Sequence, residues 1–260
     1  MTVWEALAVL AAGAGAGLIN TVVGSGTLIT FPTLLALGYP PVTANVSNNI
    51  GLVFGGVTGT WGYRRELSGT RHLLARLVPA SFAGGILGAV LLLLLPARAF
   101  EKIVPVLIAL ALVLVVLQPR IAAAAAARRA RDGLPETGAV AGVLVRAGTF
   151  LAGVYGGYFG AAQGVLLVGL LGALLTESLQ RVNGIKNLLS SVVNGVAAVT
   201  FLVVAPGRVD WLVVLLIAIG SIIGGVLGAG VGRRLPPRVL RGVIIVVGVT
   251  AIARLLAGLR

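Results

Sequence analysis

"AGLINTVVGSGTLITFPTLLALG", Ala16 to Gly38, and "AGVYGGYFGAAQGVLLVGLLGAL", Ala152 to Leu174, are two apolar stretches built on one spacing. Each opens with Ala-Gly, has a glycine seven residues later (Gly24 and Gly160), and runs on into an apolar piece of about half a bilayer's length. Small residues interrupt each run, at Gly24-Ser25-Gly26 in one and Gly160-Ala161-Ala162-Gln163 in the other, and Pro32 follows the first alone. A helix broken at membrane depth frees amides and carbonyls that lipid cannot satisfy, so such a break must face protein or a water-filled cavity. It also aims a helix N-terminus, with its partial positive charge, at that place, which suits an anion. Small residues also serve close helix packing, and many of the 38 glycines must do only that. The half-length pieces at matching positions favour breaks here. No strand precedes either one, so neither reads as a phosphate-cradling nucleotide loop.

The surrounding chain is that of an integral membrane protein. Its 260 residues are 58% hydrophobic and 10% charged, with a mean hydropathy of +1.08. A helix crosses the roughly 30 Å hydrocarbon core with about 20 residues. Runs of that length lie near 3–23, 42–62, 72–95, 99–117, 138–160, 182–205, 209–232 and 238–258. The expected fold is an all-α polytopic membrane protein with eight long transmembrane segments and two half-length broken or re-entrant helices, near 27–38 and 163–176. "MTVWEALAVL" has no basic lead, so the first run reads as a membrane helix rather than a cleaved signal. With no cysteine there is no disulfide, thiolate metal site or cysteine nucleophile. The net charge of +13 comes from basic residues in short loops, which suits anionic lipid better than nucleic acid.

Lysine and arginine collect in cytoplasmic loops. That rule puts three groups inside: Arg64, Arg65, Arg71 and Arg76; Arg120, Arg128, Arg129 and Arg131; and Arg233, Arg234 and Arg238. The nearly neutral loops after Tyr39 and from Ala205 go outside, as do both termini, although Arg254 and Arg260 oppose the second terminus. "LPAR" at Leu95 then faces out and its match "LPPR" at Leu235 faces in. Two similar halves of opposite orientation are expected: an inverted-topology repeat, a design that holds substrate between its halves near the midplane. The divisions are residues 1–117, a basic cytoplasmic linker at 118–137, and residues 138–260.

Within "RVNGIKNLLSSVVNG", Arg181 to Gly195, the polar residues Asn183, Lys186, Asn187, Ser190, Ser191 and Asn194 form one helical stripe. Asn45, Asn48 and Asn49 repeat its spacing in the first half, with Asn48 aligned to Lys186. A lysine facing lipid at a helix centre costs about 2.5–3.5 kcal/mol on insertion scales. The two stripes are therefore expected to face each other across a cavity. Lys186 could instead snorkel to the interface, and the asparagines could simply bridge helices.

All seven acidic residues, among them Glu5, Glu66, Glu101 and Asp210, fall near segment ends or in loops, so a cation site or carboxylate relay lacks ligands. An anion finds Lys186, amide donors and two helix N-termini. Arg146 is either a pathway or a surface residue. His72 reads as interfacial, and Glu177 as a cap or ion pair with Arg181. One edge-sited histidine and no buried carboxylate leave an enzyme little chemistry, and no cofactor or metal is expected. A passive anion channel remains as an alternative.

The glycine-rich break followed by "TFPTLLALG", the asparagine-bearing helix start and "KNLL" resemble the sulfite exporter TauE/SafE family, also called the 4-toluene sulfonate uptake permease family. The resemblance runs through both halves. It implies a multi-pass permease of the bacterial plasma (inner) membrane that moves sulfur-containing anions such as sulfite, sulfonates or sulfoacetate, most often outward. Two departures lie at the breaks: where the family often has three glycines this chain has Gly24-Ser25-Gly26 and Gly160-Ala161-Ala162-Gln163, and the second half lacks a match to Pro32. The candidate substrate-binding residues are Asn20, Gly24, Ser25, Gly26, Asn45, Asn48, Asn49, Gly160, Gln163, Asn183, Lys186, Asn187 and Asn194. Direction, coupling ion and oligomeric state stay open.

Overall fold

The computed structural model describes residues 1–132, 139–230 and 237–258. The described elements are all helical: α1 (Val3–Val22), α2 (Thr27–Ala36), α3 (Pro41–Gly62), α4 (Arg71–Leu94), α5 (Ala97–Asp132), α6 (Ala139–Tyr158), α7 (Gln163–Leu174), α8 (Leu179–Val204), α9 (Trp211–Gly230) and α10 (Pro237–Gly258). The two short ones, α2 and α7, stand where the half-length pieces were expected. Among the described residues, five helices are by themselves long and apolar enough to cross a membrane: α1, α4, α8, α9 and the Ala97–Ile121 part of α5. In α3, the amides and hydroxyls of the polar stripe lower the hydropathy. The basic stretch from Gln118 to Asp132 continues α5 as helix. Arg233, Arg234, the "LPPR" backbone before Pro237 and Glu136 lie outside the described residues, as do the side chains of Arg128, Arg129, Arg131, Arg238, Arg254 and Arg260.

Helix starts follow local chemistry. Thr2 and Glu5 form a capping box at α1, with Thr2 N–H on Glu5 Oε2 at 2.7 Å and Glu5 N–H on Thr2 Oγ1 at 3.3 Å. Pro41 opens α3, where its missing N–H costs nothing. Ser178 caps α8 through Arg181 N–H, and the Asp210 carboxylate accepts from Leu212 and Val213 N–H at 3.0 Å ahead of α9.

The long helices pack through glycine, and the packing crosses between the halves. On α1, Gly13 meets Ile217 and Gly220 of α9, Gly17 meets Ser221, and Leu18 meets Gly224. On α4, Gly84 meets Phe150 of α6 and Gly88 meets Val154 and Tyr158. β-Carbons at Gly17, Gly84, Gly88 and Gly224 would fall under 3 Å from the partner's backbone, so only glycine allows these approaches. Partners exchange in step: α9 packs on α1 and α3 while α4 packs on α6 and α8, and α10 packs on α2 while α5 packs on α7.

The residue order of these contacts sets direction. In α3, Gly51 meets Ile217, Gly55 meets Ser221 and Gly62 meets Ala229, so α3, α1 and α9 run together. Asn49 meets Asn194 whereas Thr60 meets Ser191, and Gly184 meets Tyr63, so α8 runs against α3. One end of the bundle carries Glu5, Tyr39 and Asp210. Burial first, then the nearby Asp210 and Glu5 carboxylates, pushes the Tyr39 phenol above its ordinary pKa. The other end carries Arg64, Arg65, Arg71 and Arg181. Because α1 and α3 both start at the acidic end, the chain between them turns back through α2. By the same argument the chain from α6 turns back through α7 toward the arginine-rich end.

Candidate functional site

The two breaks meet. Gly164 N–H donates to Gly24 C=O at 3.0 Å, and Gly160 lies against Thr27 Oγ1, so the segments pass each other in opposite directions. Gly24 (φ +90°) and Gly160 (φ +79°) take left-handed conformations that favour glycine. A β-carbon on Gly24 would stand 2.5 Å from Gly164 Cα and 3.1 Å from Lys186 Cδ. One on Gly26 would meet Ala16 O at 2.3 Å, which holds the start of α2 onto α1. Alignment of the halves pairs Gly24 with Gly160, yet the residue touching Gly24 is Gly164.

Lys186 is fully buried, 0% exposed. Its Nζ donates to the carbonyls of Asn20 at 2.9 Å and Thr21 at 3.0 Å, and Asn187 Nδ2 adds a bond to Thr21 O at 3.2 Å. These are carbonyls of the last turn of α1, which the break deprives of helical partners. A cation at this negative end of the helix offsets its dipole. In mirror fashion, Asn45 Nδ2 donates to Tyr158 O at the end of α6, at 3.0 Å. Each polar stripe thus caps a broken helix of the opposite half.

The stripes do not face each other as expected. Asn48 turns to its own half, donating to Thr27 Oγ1 at 3.4 Å and accepting from Thr30 Oγ1, while Lys186 reaches the other half's α1. Only Asn49 meets the α8 stripe among the candidate asparagines, through Asn194 Oδ1 at 3.5 Å. Successive helix residues point about 100° apart, so Asn48 and Asn49 necessarily address different neighbours. Asn183 is half-buried, its side chain makes no hydrogen bond among the described residues, and it sits one turn nearer the arginine-rich end. The Asn20 side chain is half-buried beside Gly26, and it is the residue's carbonyl that meets Lys186.

Several buried polar atoms at the crossing lack partners: Ser25 Oγ, Gln163 Nε2, Ser190 Oγ and Asn49 Oδ1. Ser25 and Gln163 are 0% and 3% exposed and stand at the starts of α2 and α7. Ser190 lies one turn from Lys186 and one turn from Asn194. Buried polar groups are ordinarily paired, so an unpaired set beside a buried ammonium suits a polar ligand. On the acidic-end side, Phe31, Phe100 and Phe159 form an edge-to-face cluster with centroids 5.2–6.5 Å apart, and Phe100 also meets Tyr158 at 5.8 Å. Gly164 reads in the sequence only as the edge of the second break, and the Thr21 carbonyl, Thr27, Thr30 and this cluster are not marked there as site residues. Threonines three apart in "TLIT" were the available signal.

Arg146 is exposed and donates to its own Gly142 O at 3.2 Å, so it faces away from the crossing. Arg146→Leu is expected to leave transport unchanged, and a tenfold loss in flux assays would place it on the pathway after all. Glu177 pairs with Arg181 at 3.0 Å, and His72 is exposed at the start of α4. Glu177→Gln should cost less than about 1 kcal/mol in thermal denaturation, as exposed ion pairs do.

Known proteins resemble the chain over most of its length. The sulfite exporter TauE/SafE family matches residues 9–255. The "Probable membrane transporter protein YfcA" of Escherichia coli K12 is 25% identical over 241 residues, covering 93% of this chain and 86% of that protein. The "Probable membrane transporter protein ORF9" of Sinorhizobium sp. is 26% identical over 244 residues, covering 93% and 88%. A "Probable membrane transporter protein" of Haemophilus influenzae is 27% identical over 214 residues, covering 82% and 80%. No solved structure matches the chain. With nearly its whole length matched, and with a helical bundle of membrane-spanning character, the chain belongs to the sulfite exporter TauE/SafE family of membrane transporters.

Proposed function

We propose that the protein exports a small sulfur-containing anion (sulfite, sulfonate or sulfoacetate type) across a bacterial inner membrane by alternating access. The crossing of the two breaks is the binding place. The observation carrying this reading is the fully buried Lys186 at that crossing, beside unpaired donors on Ser25, Ser190 and Gln163. Two of its three N–H groups serve α1 carbonyls. No carboxylate reaches it among the described residues. A buried positive charge without an acid partner calls for an anion.

The halves act as an inverted-topology repeat of eight crossings and two re-entrant pieces. The exchange of helix partners and the opposed directions of α3 and α8 support this, and substrate would then lie between halves that rock against each other. The arginine-rich end is cytoplasmic under the positive-inside rule.

The test is uptake of labelled sulfite into proteoliposomes preloaded with unlabelled sulfite. Accumulation by exchange is expected. No accumulation would remove sulfite as substrate and turn attention to a panel of sulfonates and other small anions. Large single-channel currents would instead favour a passive pore.

A further inference from the structure

We infer that Ser221, which lies on α9 outside the candidate site, is a positioning residue for transport: its hydroxyl pins the Gly51–Gly55 turn of α3 and sets the bend through which the arm carrying Asn45, Asn48 and Asn49 moves. The inference rests on the family's transport activity and does not depend on which anion is carried.

Ser221 is fully buried. Its Oγ accepts from Gly55 N–H at 3.1 Å and donates toward Gly51 C=O at 3.0 Å. Those two groups are the donor and acceptor of one i→i−4 bond of α3, so the hydroxyl competes with the helix's own ladder. Thr58 Oγ1 donates to Gly55 C=O at 3.0 Å, on the face that meets Gly225 of α9. Ser221 also has Ala218 O of its own helix within 3.1 Å. A hydroxyl has a single proton. It can donate to Gly51 O or turn to Ala218 O, in either case still accepting from Gly55 N–H, so α3 is held by two bonds in one arrangement and by one in the other.

This joint exists in one half only. Aligning "LPAR" with "LPPR" pairs Ser221 with Ser81, and aligning Asn45 with Asn183 pairs Gly51 and Gly55 with Leu189 and Val193. The structure keeps that register, because Gly225 faces Gly55 O as Gly85 faces Val193. Gly55 lets Ser221 in: a β-carbon there would stand 2.7 Å from Ser221 Cβ. In the second half Val193 already carries that β-carbon. Ser81 is fully buried, and its Oγ has no partner. One half therefore has a helix held by a buried serine hydroxyl and the other does not.

The arm is Pro41–Ile50. It is tied to α2 by the Asn48 bonds to Thr27 and Thr30, to the end of α6 by Asn45, to α8 by Asn49, and to the start of α9 by Ser47 Oγ, which accepts from Asp210 N–H at 2.9 Å. Bending at Gly51–Gly55 thus moves α2 with α3 and works against the last three ties.

The absence of cysteine makes the test clean. Cysteines placed at Ala36 and Leu94, both exposed and at the acidic end, carry nitroxide labels on the full chain in nanodiscs. Electron–electron double resonance reads their separation in the parent, in Ser221→Ala and in Ser81→Ala, with thermal melting alongside. The expected result is a distance distribution displaced by several ångströms in Ser221→Ala and superimposable on the parent in Ser81→Ala, with all three melting within a few degrees. An unchanged distribution in Ser221→Ala overturns the inference. So does an equal displacement in Ser81→Ala, or a displacement accompanied by a collapse in melting temperature, which would make Ser221 a packing residue only.

Discussion

Gly164→Ala is expected to abolish transport and to lower the melting temperature by on the order of 10 °C, the size of effect that a loss of about 3 kcal/mol has on a domain of 150–250 residues. The new β-carbon would stand 2.5 Å from Gly24 Cα and 2.9 Å from Gly24 O. Both are backbone atoms of a segment tied down at Ala16 and Lys186, so neither can step aside. Overpacking a yielding core costs about 1–3 kcal/mol, and an unyielding backbone contact lies at or above the top of that range. Gly38→Ala is the matched control. Gly38 also has a positive φ, +85°, but nothing lies within 4 Å of its would-be β-carbon. It should lose only the left-handed backbone preference, about 1–2 kcal/mol, and keep transport. Melting followed by size-exclusion fluorescence, with flux on the same preparations, separates the two. If Gly164→Ala matched Gly38→Ala in both readouts, the breaks could not be in contact during transport.

Lys186→Met is expected to reduce anion exchange at least about 100-fold, or roughly 2.7 kcal/mol at 1.36 kcal/mol per tenfold, while the protein still folds. Two terms oppose each other in its stability. The carbonyls of Asn20 and Thr21 lose their donor, at about 1–3 kcal/mol for a buried group left unsatisfied. Against that, a buried charge with no acid partner disappears, and replacing buried ions by apolar side chains of similar volume is often neutral or stabilising. Asn187 still serves Thr21 O. Melting temperature and labelled-sulfite exchange, measured together, read the two roles apart. A sharp drop in melting temperature with exchange intact would make Lys186 a clamp on the end of α1 and nothing more.

Much of the helical layout was legible because its causes are local. Length and hydropathy mark the long helices, and the glycines at Gly24 and Gly160 mark the interruptions, since a left-handed residue ends a helix whatever surrounds it. The polar stripe on α8 was legible for a similar reason: a 3.6-residue period determines which residues share a face. The helix starts at Thr2, Ser178 and Asp210 likewise follow from side chains beside their own backbone.

What lies opposite a face depends on residues far away in the chain. Asn48 aligns with Lys186 in sequence, yet Asn48 binds α2 and Lys186 binds α1, because adjacent positions on a helix look toward different neighbours. The breaks pair as Gly24 with Gly164, four residues off the sequence alignment, since antiparallel segments meet where their backbones fit. Ser81 and Ser221 are equivalent in sequence, and the single side chain of Val193 against the hydrogen of Gly55 separates an idle hydroxyl from one set into a helix. The sequence by itself determined where helices run, where they break and which faces are polar, because these depend on residues within a few positions of one another. Only the tertiary structure decided which broken end receives the lysine, because carbonyls freed by a break are satisfied by whichever donor the packing of the other half brings within 3 Å.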